Sequence, residues 1–77
     1  MRLTRPIQPM PEDIARRLDA AHLRDPYEAR PPYQRNDYLG WIARAKRPET
    51  RDKRIAQMLE ELAAGDRYMK MAWRQRP

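Results

Sequence analysis

The feature that most constrains this fold is a pair of apolar stripes at helical spacing, separated by a short connection. The first stripe has the spacing i, i+3, i+4, i+7 and consists of Tyr38, Trp41, Ile42 and Ala45. The second stripe repeats that spacing in Ile55, Met58, Leu59 and Leu62. Because an amphipathic helix must bury its apolar face and the connection is short, the two stripes predict antiparallel helices packed together. This pair, from Tyr33 to Gly65, is the helical hairpin below.

Proline and glycine set the expected ends of the helices. A first helix should begin at Pro11, with the acids after it suited to a helix N-terminus, and end near Leu23 or Arg24 before the next proline. Residues 25–28 have the pattern of a capping box and predict one short helical turn. A long helix should run to about Lys46, and the last should open at Pro48 and end at a left-handed Gly65.

The sequence therefore predicts an all-α fold, a small helical bundle of three main helices plus one short helical turn. Residues 1–10 lack periodicity and suggest an extended N-terminal arm, residues 11–65 form the helical domain, and residues 66–77 form a basic aromatic C-terminal tail. We expect Tyr68 and Trp73 of the tail to fold back over the helical hairpin. No alternating strand pattern is present.

The residue types present argue against catalysis. The chain has no cysteine and one histidine, His22, so thiol chemistry and a site with several histidines are excluded within it. Two glycines cannot form a phosphate-cradling loop. The neighbouring Glu60 and Glu61 point about 100° apart on a helix, which does not suit an acid/base pair, and we expect them to be solvated. We expect no catalytic residue, no cofactor and no metal. Without a continuous apolar run, the chain has no transmembrane segment and a cytoplasmic location is expected.

Positive charge is concentrated in and around the connection between the two stripes. The net charge is +6, and residues 44–54 alone contribute +4. Such a basic stretch could contact an anionic partner, hold a phosphate or carboxylate at the start of a helix, or enter DNA as a helix-turn-helix reader. Alternatively, the arginines and lysines simply solvate the outer face and pair with Glu49 and Asp52. The apolar residues of the tail leave a similar choice between closing the core and presenting an adhesive surface.

The run YLGWIARAKRPETR, residues 38–51, resembles the YdeI/OmpD-associated family, also called bacteriocin-protection proteins. The likeness continues through Arg54-Ile55-Ala56 to Gly65 and includes Pro11-Glu12-Asp13-Ile14 and the pair Pro31-Pro32. The resemblance implies a small all-helical domain, often appended to another domain, that is associated with resistance to bacteriocins or cationic antimicrobial peptides and with an outer-membrane porin. It implies no enzyme activity.

We therefore predict a noncatalytic protein-interaction module whose partner is another protein. The alternative is a module that binds nucleic acid or another anion through residues 44–54 and the tail. The predicted interaction surface comprises Arg44, Lys46, Arg47, Glu49, Arg51, Arg54, Tyr68 and Trp73.

Overall fold

The computed structural model describes residues 7–73 as four helices followed by a small strand pair. The elements are α1 (Glu12–Ala20), α2 (Arg24–Glu28), α3 (Pro32–Ala43), α4 (Pro48–Ala64), β1 (Arg67–Tyr68) and β2 (Met71–Ala72). Every predicted helix is present and the described chain is mostly helical, as expected. The strand pair was not predicted.

Two hydrogen bonds between α3 and α4 describe how these helices lie against each other. The Tyr38 hydroxyl of α3 donates a hydrogen bond to Glu61 of α4. One turn later in α3, the Trp41 carbonyl accepts a hydrogen bond from Arg54 at 2.6 Å, nearly two turns earlier in α4. Since the partners run in opposite directions along the two helices, α3 and α4 are antiparallel.

The core contains two residues of the first predicted stripe, three of the second and the apolar face of α1. Trp41 and Leu59 lie partly buried against it, as do Met10, Tyr68 and Met69. The buried apolar residues are Ile14, Leu18, Leu23, Tyr27, Tyr38, Leu39, Ile42, Ile55, Met58 and Leu62. Residues of α1 and α2 share this core with the stripes of α3 and α4.

The first helix ends at Ala20, so the predicted end near Leu23 or Arg24 was wrong. His22 has a φ of 58°, in the left-handed region. Its N–H donates to the Asp19 carbonyl at 3.1 Å, and the Leu23 N–H donates to the Leu18 carbonyl at 2.8 Å. These two bonds form a Schellman motif, with apolar residues at its usual contact positions. The motif was missed because histidine stands where glycine usually signals it.

Two other predicted helix ends also differ. Asp25 lies inside α2 instead of capping it; Leu23 precedes the helix, with no side-chain cap, so the predicted capping box is not formed. The third helix ends at Ala43, before the predicted Lys46. Arg47 is extended, with φ −112° and ψ 146°, as the residue before a proline prefers. The chain therefore leaves α3 early enough to enter α4 through an extended residue.

A C-terminal β-hairpin follows α4. Gly65 has a φ of 84° and ends α4, as predicted. The strands are antiparallel, with Tyr68 opposite Met71, and the turn between them contains Met69 and Lys70 at φ 51° and 65°. Strands of two residues are too short to show alternation, and the turn contains neither Gly nor Asn, so the sequence gave no strand signal.

Candidate functional site

The connection between α3 and α4, residues 44–47, forms a surface of exposed cations that we call the basic turn. Arg44, Lys46 and Arg47 are all exposed. Arg47 precedes Pro48, the first residue of α4, and no side chain caps this helix start. Glu49 is also exposed, in the first turn of α4. Four of the predicted surface residues therefore lie together at one accessible corner.

Arg51 joins α4 to α1. Its guanidinium donates two hydrogen bonds to the Asp13 carboxylate, at 2.6 and 3.1 Å. The hydrogen bond from Arg51 is the main reason why the pKa of Asp13 lies below its ordinary value, and the same bond raises the pKa of Arg51. The structure thus places Arg51 in an internal ion pair, apart from the accessible basic turn.

Arg54 joins α4 to α3. It donates to the Trp41 carbonyl, and its guanidinium carbon lies 5.2 Å from the centre of the Trp41 ring, within cation–π range. Arg51 and Arg54, which were predicted to share a contact face, therefore each hold a different neighbouring helix.

The two aromatic members of the predicted surface also pack on the fold. The Tyr68 hydroxyl donates to Asp37 at 2.7 Å, and its ring meets Tyr33 and Tyr38 edge-on at centroid distances of 6.0 and 5.4 Å. The Arg30 guanidinium carbon lies 4.4 Å from the centre of the Trp73 ring. The expected return of Tyr68 to the core is present, since this side chain packs against it.

An open groove lies between α3 and the β-hairpin and reaches the basic turn. It has a volume of about 620 Å³. We call it the α3 groove, and its lining residues are Gln8, Asn36, Asp37, Gly40, Trp41, Arg44, Tyr68, Met69 and Met71. It brings together Arg44 and Tyr68, which are 24 residues apart in the sequence. Lys46, Arg47 and Glu49 lie outside its lining, and so do Arg51, Arg54 and Trp73.

The sequence missed a buried carboxylate, because Glu61 was expected to be solvated. Its side chain is buried and accepts the Tyr38 hydroxyl and the Met69 N–H on one oxygen, the latter at 2.8 Å. The other oxygen accepts the Lys70 N–H at 2.7 Å and the Gln57 amide at 3.1 Å. Glu61 therefore binds both backbone amides of the β-turn. Burial, with this hydrogen bond adding to it, raises the pKa of Tyr38.

Arg30 is the buried cation of the same region. It donates to the Gln34 side chain at 3.1 Å, to the Arg67 carbonyl at 2.8 Å and to the Glu61 carbonyl at 3.0 Å. Arg30 and Glu61 thus fasten the β-hairpin to the helices from two sides. A sequence signal existed for Glu61 alone: it lies three residues after Met58, beside the apolar stripe.

Within residues 7–73, no three side chains of His, Cys, Asp or Glu lie close enough together to hold a metal ion. In the same part of the chain, no helix has the length and apolar character that crossing a membrane requires.

Comparison with known proteins identifies a family. Residues 9–65 match the family model described as "Bacteriocin-protection, YdeI or OmpD-Associated". This span includes α1 to α4 and the basic turn, and it stops before the β-hairpin. No curated protein and no solved structure matches the chain.

Proposed function

The chain belongs to the bacteriocin-protection, YdeI or OmpD-associated family, and from this premise we propose that it is a noncatalytic protein-interaction module. In this proposal a small helical bundle presents the basic turn to an acidic surface of another protein, and that contact serves bacteriocin or antimicrobial-peptide resistance. A cytoplasmic location remains a prediction.

One observation carries the proposal: three exposed cations lie close together in the basic turn and have no acidic partner among the residues that the structure describes. Among residues 7–73, no ion pair or hydrogen bond involves the side chain of Arg44, Lys46 or Arg47. Elsewhere, arginines pair with acids in Arg16–Glu12, Arg17–Asp52, Arg24–Asp19, Arg35–Glu28 and Arg51–Asp13. Exposed charges without an intramolecular partner attract an oppositely charged surface and increase its association rate.

The noncatalytic part of the proposal is supported by what the buried polar groups do. Glu61 accepts four hydrogen bonds and Arg30 donates three, all within the chain. The acceptor capacity of Glu61 is filled, and Arg30 uses three of its five N–H groups, so both side chains are used to hold the fold.

A binding experiment with matched charge variants tests the proposal. The probe is a glutamate-rich decapeptide at about 0.15 M salt, titrated into the 15N-labelled protein. The variant R44Q/K46Q/R47Q should lose the binding, because it removes the unpaired cations. The control R16Q/R17Q/K53Q removes the same formal charge from α1 and the outer face of α4 and should retain most of the affinity. Equal loss in both variants would contradict a localised contact.

Nucleic-acid binding is the second candidate, because the same cations surround a helix start that no side chain caps. The arginines that a helix-turn-helix reader would direct at bases, Arg51 and Arg54, are held by Asp13 and Trp41. That use favours a protein partner. A short DNA duplex that binds R44Q/K46Q/R47Q far more weakly than the wild type, with a steep loss of affinity on adding salt, would reverse this preference.

A further inference from the structure

The α3 groove contains exposed apolar surface directly beside the basic turn. Trp41 and Met69 are half-buried in its lining, and Met71 is 58% exposed. Few large apolar side chains of the described residues are so accessible; the others are Ile7 and Tyr33. A methionine that remains in water beside a tryptophan is suited to receive an apolar side chain of a partner.

Two polar residues of α3 in the groove, Asn36 and Asp37, are used within the chain. The Asn36 side-chain oxygen accepts the Gln8 N–H at 2.6 Å, and Asp37 accepts the Tyr68 hydroxyl. Arg44 has no partner among residues 7–73. The one charged group that the groove offers to a partner is therefore a cation.

The charges of the groove are arranged along α3. Asp37 lies within α3, and Arg44 is the C-terminal cap of that helix, seven residues later. This separation corresponds to about 10 Å along the helix axis. Beyond Arg44 the chain continues into Lys46 and Arg47. At the β-hairpin end of the groove, Asp37 is already hydrogen-bonded to Tyr68. At the other end, Arg44 has no acidic partner among the described residues, so a bound chain would place its carboxylates there.

We propose that the α3 groove binds an acidic protein segment that carries an apolar anchor. The anchor side chain contacts Met71 and Trp41, and neighbouring carboxylates pair with Arg44 and the basic turn. The proposal rests on the proposed function and specifies its partner. Charge complementarity selects an acidic chain, and the apolar part of the groove favours a protein over nucleic acid, which has no aliphatic side chain to insert.

Two peptides separate the anchor from the charge. One is a glutamate-rich decapeptide with a central leucine, and the other has serine in place of that leucine. Titrated into the 15N-labelled full chain, the leucine peptide should shift the amides of Gly40 and Met71 and the indole N–H of Trp41. It should bind about tenfold more tightly than the serine peptide, as expected for burial of one leucine.

A variant at an exposed position provides the decisive comparison. Met71→Gln should reduce the affinity for the leucine peptide to that for the serine peptide, without changing the latter. Ile7→Gln is the matched control, because Ile7 is exposed and apolar but lies outside the lining of the α3 groove. This control should bind both peptides as the wild type does. An unchanged affinity of Met71→Gln for the leucine peptide would overturn the proposal.

The other outcomes distinguish this inference from the proposed function. Equal affinities for the two peptides, with shifts confined to the basic turn, would overturn the anchor and leave the interaction module in place. Binding of neither peptide would overturn both. Stronger shifts of Gly40 and Met71 with a DNA duplex than with the leucine peptide would also overturn both, in favour of nucleic acid.

Discussion

Glu61 is a buried carboxylate, and its hydrogen bonds explain why the fold tolerates it. A buried carboxylate loses the solvation of water, and this cost is offset only when its lone pairs are satisfied. Four donors surround Glu61, and two of them are the amides of Met69 and Lys70. Both residues have positive φ without being glycine. The carboxylate therefore stabilises a turn that its own sequence disfavours.

Glu61→Gln should destabilise the fold and loosen the β-turn. The amide has one acceptor oxygen and an NH₂ group, so it cannot accept from all four donors, and the expected cost is about 1 to 3 kcal/mol. Chemical denaturation measures that cost, and amide exchange at Met69 and Lys70 reports the turn. Glu60→Gln is the control, because Glu60 is exposed. Similar losses for the two variants would contradict this role of Glu61.

The Asp13–Arg51 pair should add a pH-dependent contribution to stability. Because the folded-state pKa of Asp13 lies below its ordinary value of 3.8, the contribution is present above that pH and is lost as pH falls through the lower folded-state pKa. Both side chains are partly exposed, so its size is about 1 kcal/mol or less. The free energy of unfolding of Asp13→Asn should therefore fall less steeply than that of the wild type below pH 4 or so.

The Asp52–Arg17 pair is the comparison for that measurement. Its closest atoms are 3.8 Å apart and Asp52 is largely exposed. Asp52→Asn should leave the acid slope nearly unchanged. If Asp52→Asn changed the pH dependence of the unfolding free energy as strongly as Asp13→Asn does, net charge and not the bidentate pair would set that pH dependence.

At the scale of elements, the ends of the helices depend on single backbone positions. Gly65→Ala should destabilise the protein by about 1 kcal/mol, because φ there is 84° and alanine is strained in the left-handed region. Beyond the neighbouring residues of the chain, no atom lies within 4 Å of an added Cβ, so the loss is conformational and not steric. Gly65→Asn should recover part of it, since asparagine tolerates this conformation. Thermal unfolding measures all three proteins.

Gly40 gives the opposite expectation and serves as the control for Gly65. It lies inside α3, where alanine is favoured over glycine by about 1 kcal/mol. An added Cβ would lie 3.3 Å from the Arg44 guanidinium, the mobile end of an exposed side chain that can move aside. Gly40→Ala should therefore be neutral or stabilising. A loss as large as that of Gly65→Ala would contradict the conformational explanation.

Sequence patterns predicted the elements better than their ends and contacts. The stripes of α3 and α4, the start of α4 at Pro48 and its end at Gly65 are strong local signals, so the presence of both helices was predicted. The end of α1 depends on a left-handed His22, and the β-turn depends on a carboxylate eight residues away, in Glu61. The first feature is set by local backbone bonds and the second by a side chain outside the turn, and neither leaves a periodic pattern.

The same difficulty limited the prediction of the interaction surface. Clustering of charge indicated the basic turn, whose cations are exposed. It could not show that Arg51 would meet Asp13, 38 positions earlier, or that Arg54 would reach the Trp41 carbonyl. Which arginines remain unpaired is decided by the packing of α1 and α3 against α4.

At the scale of the whole molecule, the family-matched span depends on a segment outside it. Residues 9–65 contain Glu61 and Arg30, yet three hydrogen-bonding partners of these side chains belong to Arg67, Met69 and Lys70 of the β-hairpin. The β-hairpin thus completes the polar interior of the family domain in this chain.

A chain ended after Gly65 should lose most of its stability. Removing one side of a buried charged cluster costs about 3 to 5 kcal/mol, which is a large share of the stability of a small domain. A chain ended after Trp73 is the control, because it keeps every contact described above. Circular dichroism with thermal unfolding compares the two. A cooperative transition of the shorter chain at the full-length temperature would contradict the dependence.

The way in which the β-hairpin is fastened also determines how it opens. Backbone amides, a carboxylate and a guanidinium form much of its attachment, so detaching it alone uncovers far less apolar surface than separating α3 from α4. Exposure of apolar surface sets both the heat-capacity increment and the sensitivity to urea. The β-hairpin should therefore detach as a local unit, with amide exchange at Met69 and Lys70 almost independent of urea, while the core amides of α4 exchange only through global unfolding.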